Sequence, residues 1–151
     1  MAYGIFNDNK RSEILRRIDC LSANSSRKWG TLDTVQMLNH CSVQLKLALG
    51  LIPVEKTEGS VLFRTLAGRI VSIYGPRWPK NLVTPSVMNM AGKTIKEDDI
   101  NLAKRELTDL ILQVNDTVEL HSHPFFGKLS RKDWGTMIYK HIDHHLRQFG
   151  A

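Results

Sequence analysis

The stretch KHIDHHLRQFG, residues 140–150, places three histidines within five positions. His141 and His145 are four residues apart. On a helix advancing about 100° per residue, that spacing returns the second ring to within about 40° of the first, one turn along. Two imidazoles so arranged can hold one metal ion, as they do on an HExxH helix. The same spacing arises by chance, so a third donor must come from another segment. His40 flanks the apolar stripe of Leu38, Cys41 and Leu45 and groups with Met37 and Gln44. By itself it would read as a boundary histidine bonded to a carbonyl. Three inward imidazoles in an apolar setting are costly without a partner, and a shared cation supplies one. His144, about 60° to the other side of His141, flanks the site. Gln148, one turn beyond His145, is placed to orient a ligand or a bound water.

Such a set would leave a divalent ion its full charge and open positions, so that a bound water or thiol loses its proton more readily near neutral pH. Zinc or nickel suits imidazole donors. No carboxylate is fixed beside the histidines by spacing. Asp143 turns to the face opposite His141 and is expected in water, which leaves a general base unassigned. Cys41 points into the core stripe. His121 and His123, in the turn HSHP, read as solvent-exposed. Trp134 belongs to a core, Trp29 covers a bundle end, and Trp78, on a Pro-rich stretch, could line a pocket.

The elements that must position these residues follow from apolar periodicity. Ile14, Leu15, Ile18 and Leu21 give a first helix over about 8–22, with Asn7 to Asn9 available as caps. A Ser-rich loop runs to Gly30. Asp33 and Gln36 form a capping-box pattern that starts a second helix near Thr34, and Gly50 and Pro53 stop it. Residues 60–74 suit a shorter helix, with a strand kept open by the β-branched Val61, Ile70, Val71 and Ile73. Pro76, Pro79 and Pro85 make about 75–94 an irregular connection. A third main helix is expected over about 96–120, favoured at its start by Glu97, Asp98 and Asp99, and a fourth begins at Ser130 with Asp133 three residues on. The architecture expected is all-α: a single domain over 1–151, a four-helix bundle with an inserted short helix and Pro-rich loop between the second and third main helices.

Composition bounds the partners. The net charge of +6 comes from 21 Lys and Arg against 15 Asp and Glu, but the basic residues form no run of five or six. A solvated surface is the reading, with no nucleic-acid partner. The two cysteines, Cys20 and Cys41, show neither a CxxC pair nor a disulfide framework, so reduced thiols in a cytoplasm are expected. The most apolar stretch, LKLALGLIPV, is about half a membrane span, and no membrane partner is expected. Leftover apolar surface would allow a homodimer.

Two stretches, WGTLDTVQMLNHC and HPFFGKLSRKDWGTMIYKHIDHHLRQFG, resemble the DinB-like superfamily, in particular a branch closing in an HPxFG, W, KHxxHH, QF signature. The second stretch, residues 123–150, is the more specific. The resemblance implies a four-helix bundle holding a divalent metal through one histidine of the second helix and two of the last, which map to His40, His141 and His145. It also implies a small-molecule substrate, since characterised relatives include transferases joining low-molecular-weight thiols to electrophiles and a metal-dependent maleylpyruvate isomerase. Two function classes stay open: a metal-dependent enzyme of the thiol-transferase or hydrolase type, and a non-catalytic protein that binds a metal or a small molecule. An open coordination position favours the first, a closed four-coordinate site the second.

Overall fold

The computed structural model describes residues 3–82, 84–90 and 100–151. Five α-helices are found there: α1 (Asp8–Asp19), α2 (Thr34–Ala48), α3 (Leu66–Tyr74), α4 (Ile100–Gln113) and α5 (Arg131–Gln148). Short 3-10 turns lie at Gly4–Phe6, Val61–Arg64 and Ser86–Met88. Among the described residues there is no strand, and the class is all-α.

Local chemistry sets the helix ends. The Asn7 side chain accepts the Lys10 N–H and starts α1. That helix stops at Asp19, short of the expected 22: the Cys20 N–H still reaches the Arg16 carbonyl four residues back, but the Leu21 N–H tightens onto Ile18, three residues back. In α2 the Asp33 carboxylate accepts the Gln36 N–H at 2.7 Å and the Gln36 side chain accepts the Asp33 N–H at 3.0 Å, a complete capping box. Ser130 and Asp133 form the same reciprocal pair ahead of α5. Residues 60–74 fold as a 3-10 turn followed by α3. The break is Thr65, whose hydroxyl accepts the Gly68 N–H and caps the second piece.

The third main helix departs from expectation at its C-terminal end. The chain leaves α4 after Gln113 rather than near 120. Asn115 Oδ1 takes the Thr117 N–H at 2.9 Å and its hydroxyl at 2.8 Å, a local turn that competes with helix. Arg131 holds the turned segment by donating to the carbonyls of Asn115 and Val118. The expected start over 96–99, with its acidic residues, lies outside the described residues.

The core joins Ile14 and Ile18 of α1, Leu38 and Leu45 of α2, Leu107 and Ile111 of α4, and Trp134, Ile138 and Ile142 of α5. The N-terminal turn seats directly on α5, where a Cβ on Gly135 would fall 2.6 Å from the Tyr3 carbonyl oxygen. A smaller cluster matters more for function: Met88 and Met90 pack on Val43 and Leu47 of α2. Burying side chains of this size is worth about 1.5–3 kcal/mol each. Their seat fixes the backbone of the irregular connection against α2, one turn from His40.

Candidate metal centre

His40 comes from the middle of α2, and His141 and His145 from the last two turns of α5. The three rings converge, with centroids 4.8 Å apart for His40 and His141, 4.6 Å for His40 and His145, and 4.7 Å for His141 and His145. One ligand atom from each lies within 4.8 Å of the other two, close enough to bind a metal ion.

Hydrogen bonds assign the protons. His40 Nδ1 lies 2.7 Å from the Met88 carbonyl oxygen. A carbonyl only accepts, so Nδ1 carries the hydrogen and Nε2 presents its lone pair. The Gln148 Nε2 donates to the Trp29 carbonyl at 2.8 Å, which turns Gln148 Oε1 toward His145 Nδ1 at 3.0 Å. His145 is thereby also protonated at Nδ1 and free to ligate through Nε2. A carbonyl or amide oxygen fixing the outer nitrogen is the support that metal-bound histidines have. Gln148 therefore acts on the histidine itself, behind its ligating nitrogen.

Burial keeps these rings neutral, the state that binds metal. Loss of solvent lowers the His40 pKa, with the Met88 hydrogen bond acting against it. Burial, then the proximity of His145 and His40, holds His141 well below the ordinary imidazole range. Burial brings His145 down to about 3. The donor set fits a divalent cation: His40 Nε2 and His141 Nε2 face each other at 2.8 Å, and His141 Nδ1 is buried with no hydrogen-bond partner among the described residues.

An aromatic wall stands beside the histidines. The Trp78 ring is 6.2 Å from His141 and 5.9 Å from His144, and Trp29 meets His144 edge-on at 6.2 Å. Trp78 is held by its indole N–H donating to the Ser72 carbonyl at 2.7 Å. Lys140 pins the same place, donating to the carbonyls of Ser72 at 2.9 Å and Gly75 at 3.0 Å, with its ammonium 5.3 Å from the Trp78 ring centre. This cation at the C-terminal end of α3 suits the helix dipole. His144 is buried, and its Nδ1, like Gln44 Oε1 one turn beyond His40, finds no partner among the described residues.

Three placements correct the expectations. Asp143 is half-buried rather than in water, because Arg17 of α1 reaches it at 2.9 Å and Arg147 at 2.9 Å. His123 is buried, not exposed: its backbone pairs with Gly127, and its ring packs on Phe126 and Trp134. Trp29 does more than cover an end, since its carbonyl orients Gln148. His121 is exposed, and Cys41 is buried in the core with its thiol pKa pushed far up by desolvation. Met88 was invisible to sequence reasoning, because a backbone carbonyl carries no residue-type signal. A methionine pair after a proline-rich stretch hints only at an anchor.

The match of a family model over residues 7–151 shows that the chain belongs to the family described as "Protein of unknown function (DUF1569)". No curated protein and no solved structure matches it.

Proposed function

We propose that this DUF1569 chain is a divalent-metal-binding protein whose His40, His141 and His145 centre serves a metal-dependent enzyme of the thiol-transferase or hydrolase type. The observation that carries this reading is the convergence of three neutral imidazoles from α2 and α5, two of them fixed for ligation through Nε2 by Met88 and Gln148. Three protein donors are one fewer than a closed structural zinc site uses, which favours an open position and hence chemistry over a purely structural ion. When bound, zinc or nickel would supply Lewis acidity that eases proton loss from a thiol or water.

The chain's own residues do the rest. His40 and His145 are held in one tautomer each, so no reorientation is needed when a ligand arrives. Trp29, Trp78 and the buried His144 wall the site on one side and limit water there. Lys140 keeps that wall in register with α3. Nδ1 of His144 and Oε1 of Gln44, without a partner among the described residues, are polar groups suited to a small polar substrate, and a low-molecular-weight thiol is the class we favour. We further read α1, α2, α4 and α5 as one four-helix bundle of the DinB-like kind; the packing of α2 on α4 and α5, and of α1 on the same two helices, supports this.

A panel of low-molecular-weight thiols paired with electrophiles, assayed with zinc- or nickel-loaded and with chelated protein, tests the proposal. Turnover only in the loaded state, and none in His145→Ala, is expected. A loaded protein that binds thiols without turning over any pair, or any ester or amide offered in their place, would support the non-catalytic binder instead.

A further inference from the structure

Helix α3 is mounted with its apolar side outward. At about 100° per residue, Leu66, Ile70, Tyr74 and Val71 fill a continuous arc of about 140°, which ends toward α5 at Tyr74, where the phenol donates to Asp133 at 2.6 Å. They are 76%, 50%, 42% and 66% exposed respectively. Val61 and Leu62, in the turn before the helix, are 68% and 64% exposed. The less exposed side carries Gly68, Arg69 and Ser72, with Ile73 the one buried residue of the helix. A surface helix of a self-contained protein has the opposite polarity, and contiguous bare apolar surface of this kind marks a contact face.

Charge identifies the occupant. Between Glu58 and Glu97 the sequence has six basic residues and no acidic one, which leaves 15 basic residues elsewhere to balance the 15 acidic ones. By sequence the excess positive charge thus falls in this stretch, and four of its basic residues, Arg64, Arg69, Arg77 and Lys80, are among the described residues. A second copy docking through the same face would oppose like charges across a two-fold axis. An anionic surface is complementary to it. Exposed Arg77 and Lys80 and the half-buried Arg64 lie in the same segment as the arc, the composition of a helix lying in a lipid interface. Side chains as exposed as Leu66 enter a fluid surface without needing a matching pocket. No helix among the described residues is long and apolar enough to cross a membrane, so the contact lies on the bilayer. The sequence-based expectation of no membrane partner rested on span length, which does not address this mode.

We propose that the Val61 to Tyr74 face docks the protein on an anionic lipid bilayer, with Leu66, Ile70 and Val71 in the interface and Arg64, Arg77 and Lys80 against the headgroups. The proposal is independent of the metal centre, although Lys140 and Trp78 tie the C-terminal end of α3 to the histidines.

Flotation of the full-length protein with vesicles of phosphatidylcholine, alone or mixed with phosphatidylglycerol, tests it. The protein is expected to float with the mixed vesicles only. Arg77→Gln and Lys80→Gln should each weaken binding roughly five-fold, and Leu66→Ser with Val71→Ser by more than about ten-fold. Leu66, Val71 and Arg77 are exposed, so circular dichroism and melting should be unchanged in their variants; the Lys80 ammonium lies 4.8 Å from the Trp29 ring centre, and the same measurements separate lost packing there from lost lipid contact. Failure to float with mixed vesicles overturns the proposal and leaves the face to an acidic protein. Binding that survives the Leu66→Ser, Val71→Ser change undiminished overturns it as a contact of charge alone. A dimer in sedimentation velocity that dissolves in the same double variant overturns it in favour of a second copy.

Discussion

The Nε2 atoms of His40 and His141 sit 2.8 Å apart although 101 residues separate them in sequence. Because the Met88 carbonyl holds the His40 proton on Nδ1, His40 offers only a lone pair toward His141. Either His141 donates its one ring proton there, or both lone pairs turn to a shared cation. Both arrangements leave His141 Nδ1 buried with no partner among the described residues, as an acceptor in the first and a donor in the second, so that atom does not choose between them. The second also satisfies His145, which the first does not address.

If Gln148 sets the His145 tautomer, removing it should loosen metal without unfolding the chain. Gln148→Ala is expected to weaken zinc affinity about 10–100-fold. Competition against a chromophoric chelator measures this. Unchanged affinity would leave Gln148 as a tie between α5 and the Trp29 loop and nothing more.

Metal that binds only the folded state must stabilise it. At free zinc about 100-fold above the dissociation constant the gain is about 2.7 kcal/mol, which raises the melting temperature of a domain this size by roughly 5–10 °C. A chelator should reverse the shift, and His141→Phe, which keeps a ring in the packing, should show none. A shift of the same size in His141→Phe would place the zinc elsewhere.

His123 predicts a pH dependence whose sign is fixed by burial. Its pKa falls from 6.5 to about 3 in the fold, so between those values the unfolded chain binds more protons and stability rises with pH. Its contribution is whole above pH 6.5 and is lost as pH falls toward 3, by at most about 1.4 kcal/mol per unit. Urea midpoints of chelated protein at neutral and mildly acidic pH should therefore fall less in His123→Asn than in the wild type. Parallel losses would mean that His123 is not the residue being charged.

Gly135 tests the seat of the N-terminal turn. On helix propensity alone, alanine there should stabilise α5 by about 1 kcal/mol. Its Cβ would meet Phe6 Cδ2 at 2.5 Å and the Tyr3 carbonyl oxygen at 2.6 Å, and overpacking of this kind costs about 1–3 kcal/mol. Gly135→Ala should lower the melting temperature. A rise would show that the turn does not sit on α5 as described.

Local signals were the legible ones. Asp33 with Gln36 and Ser130 with Asp133 announced their helix starts because a capping box is written within four residues. The His141 and His145 spacing announced a shared face for the same reason, and the flank of the α2 stripe pointed His40 inward. What sequence could not show depends on distant partners. Asp143 is drawn from water by Arg17, 126 residues away. His123 is buried because its turn closes onto Gly127 beneath Trp134. The end of α4 was missed because Asn115 captures Thr117 where the apolar rhythm of Val114 and Val118 still runs. The outward polarity of α3 was missed because periodicity locates an apolar face without saying what that face meets.

The most direct measurement is metal content by mass spectrometry of protein purified without an affinity tag, set beside His40→Ala and His145→Ala. The account predicts stoichiometric zinc or nickel in the native protein and its loss from both folded variants. Equal, substoichiometric metal in all three would contradict it.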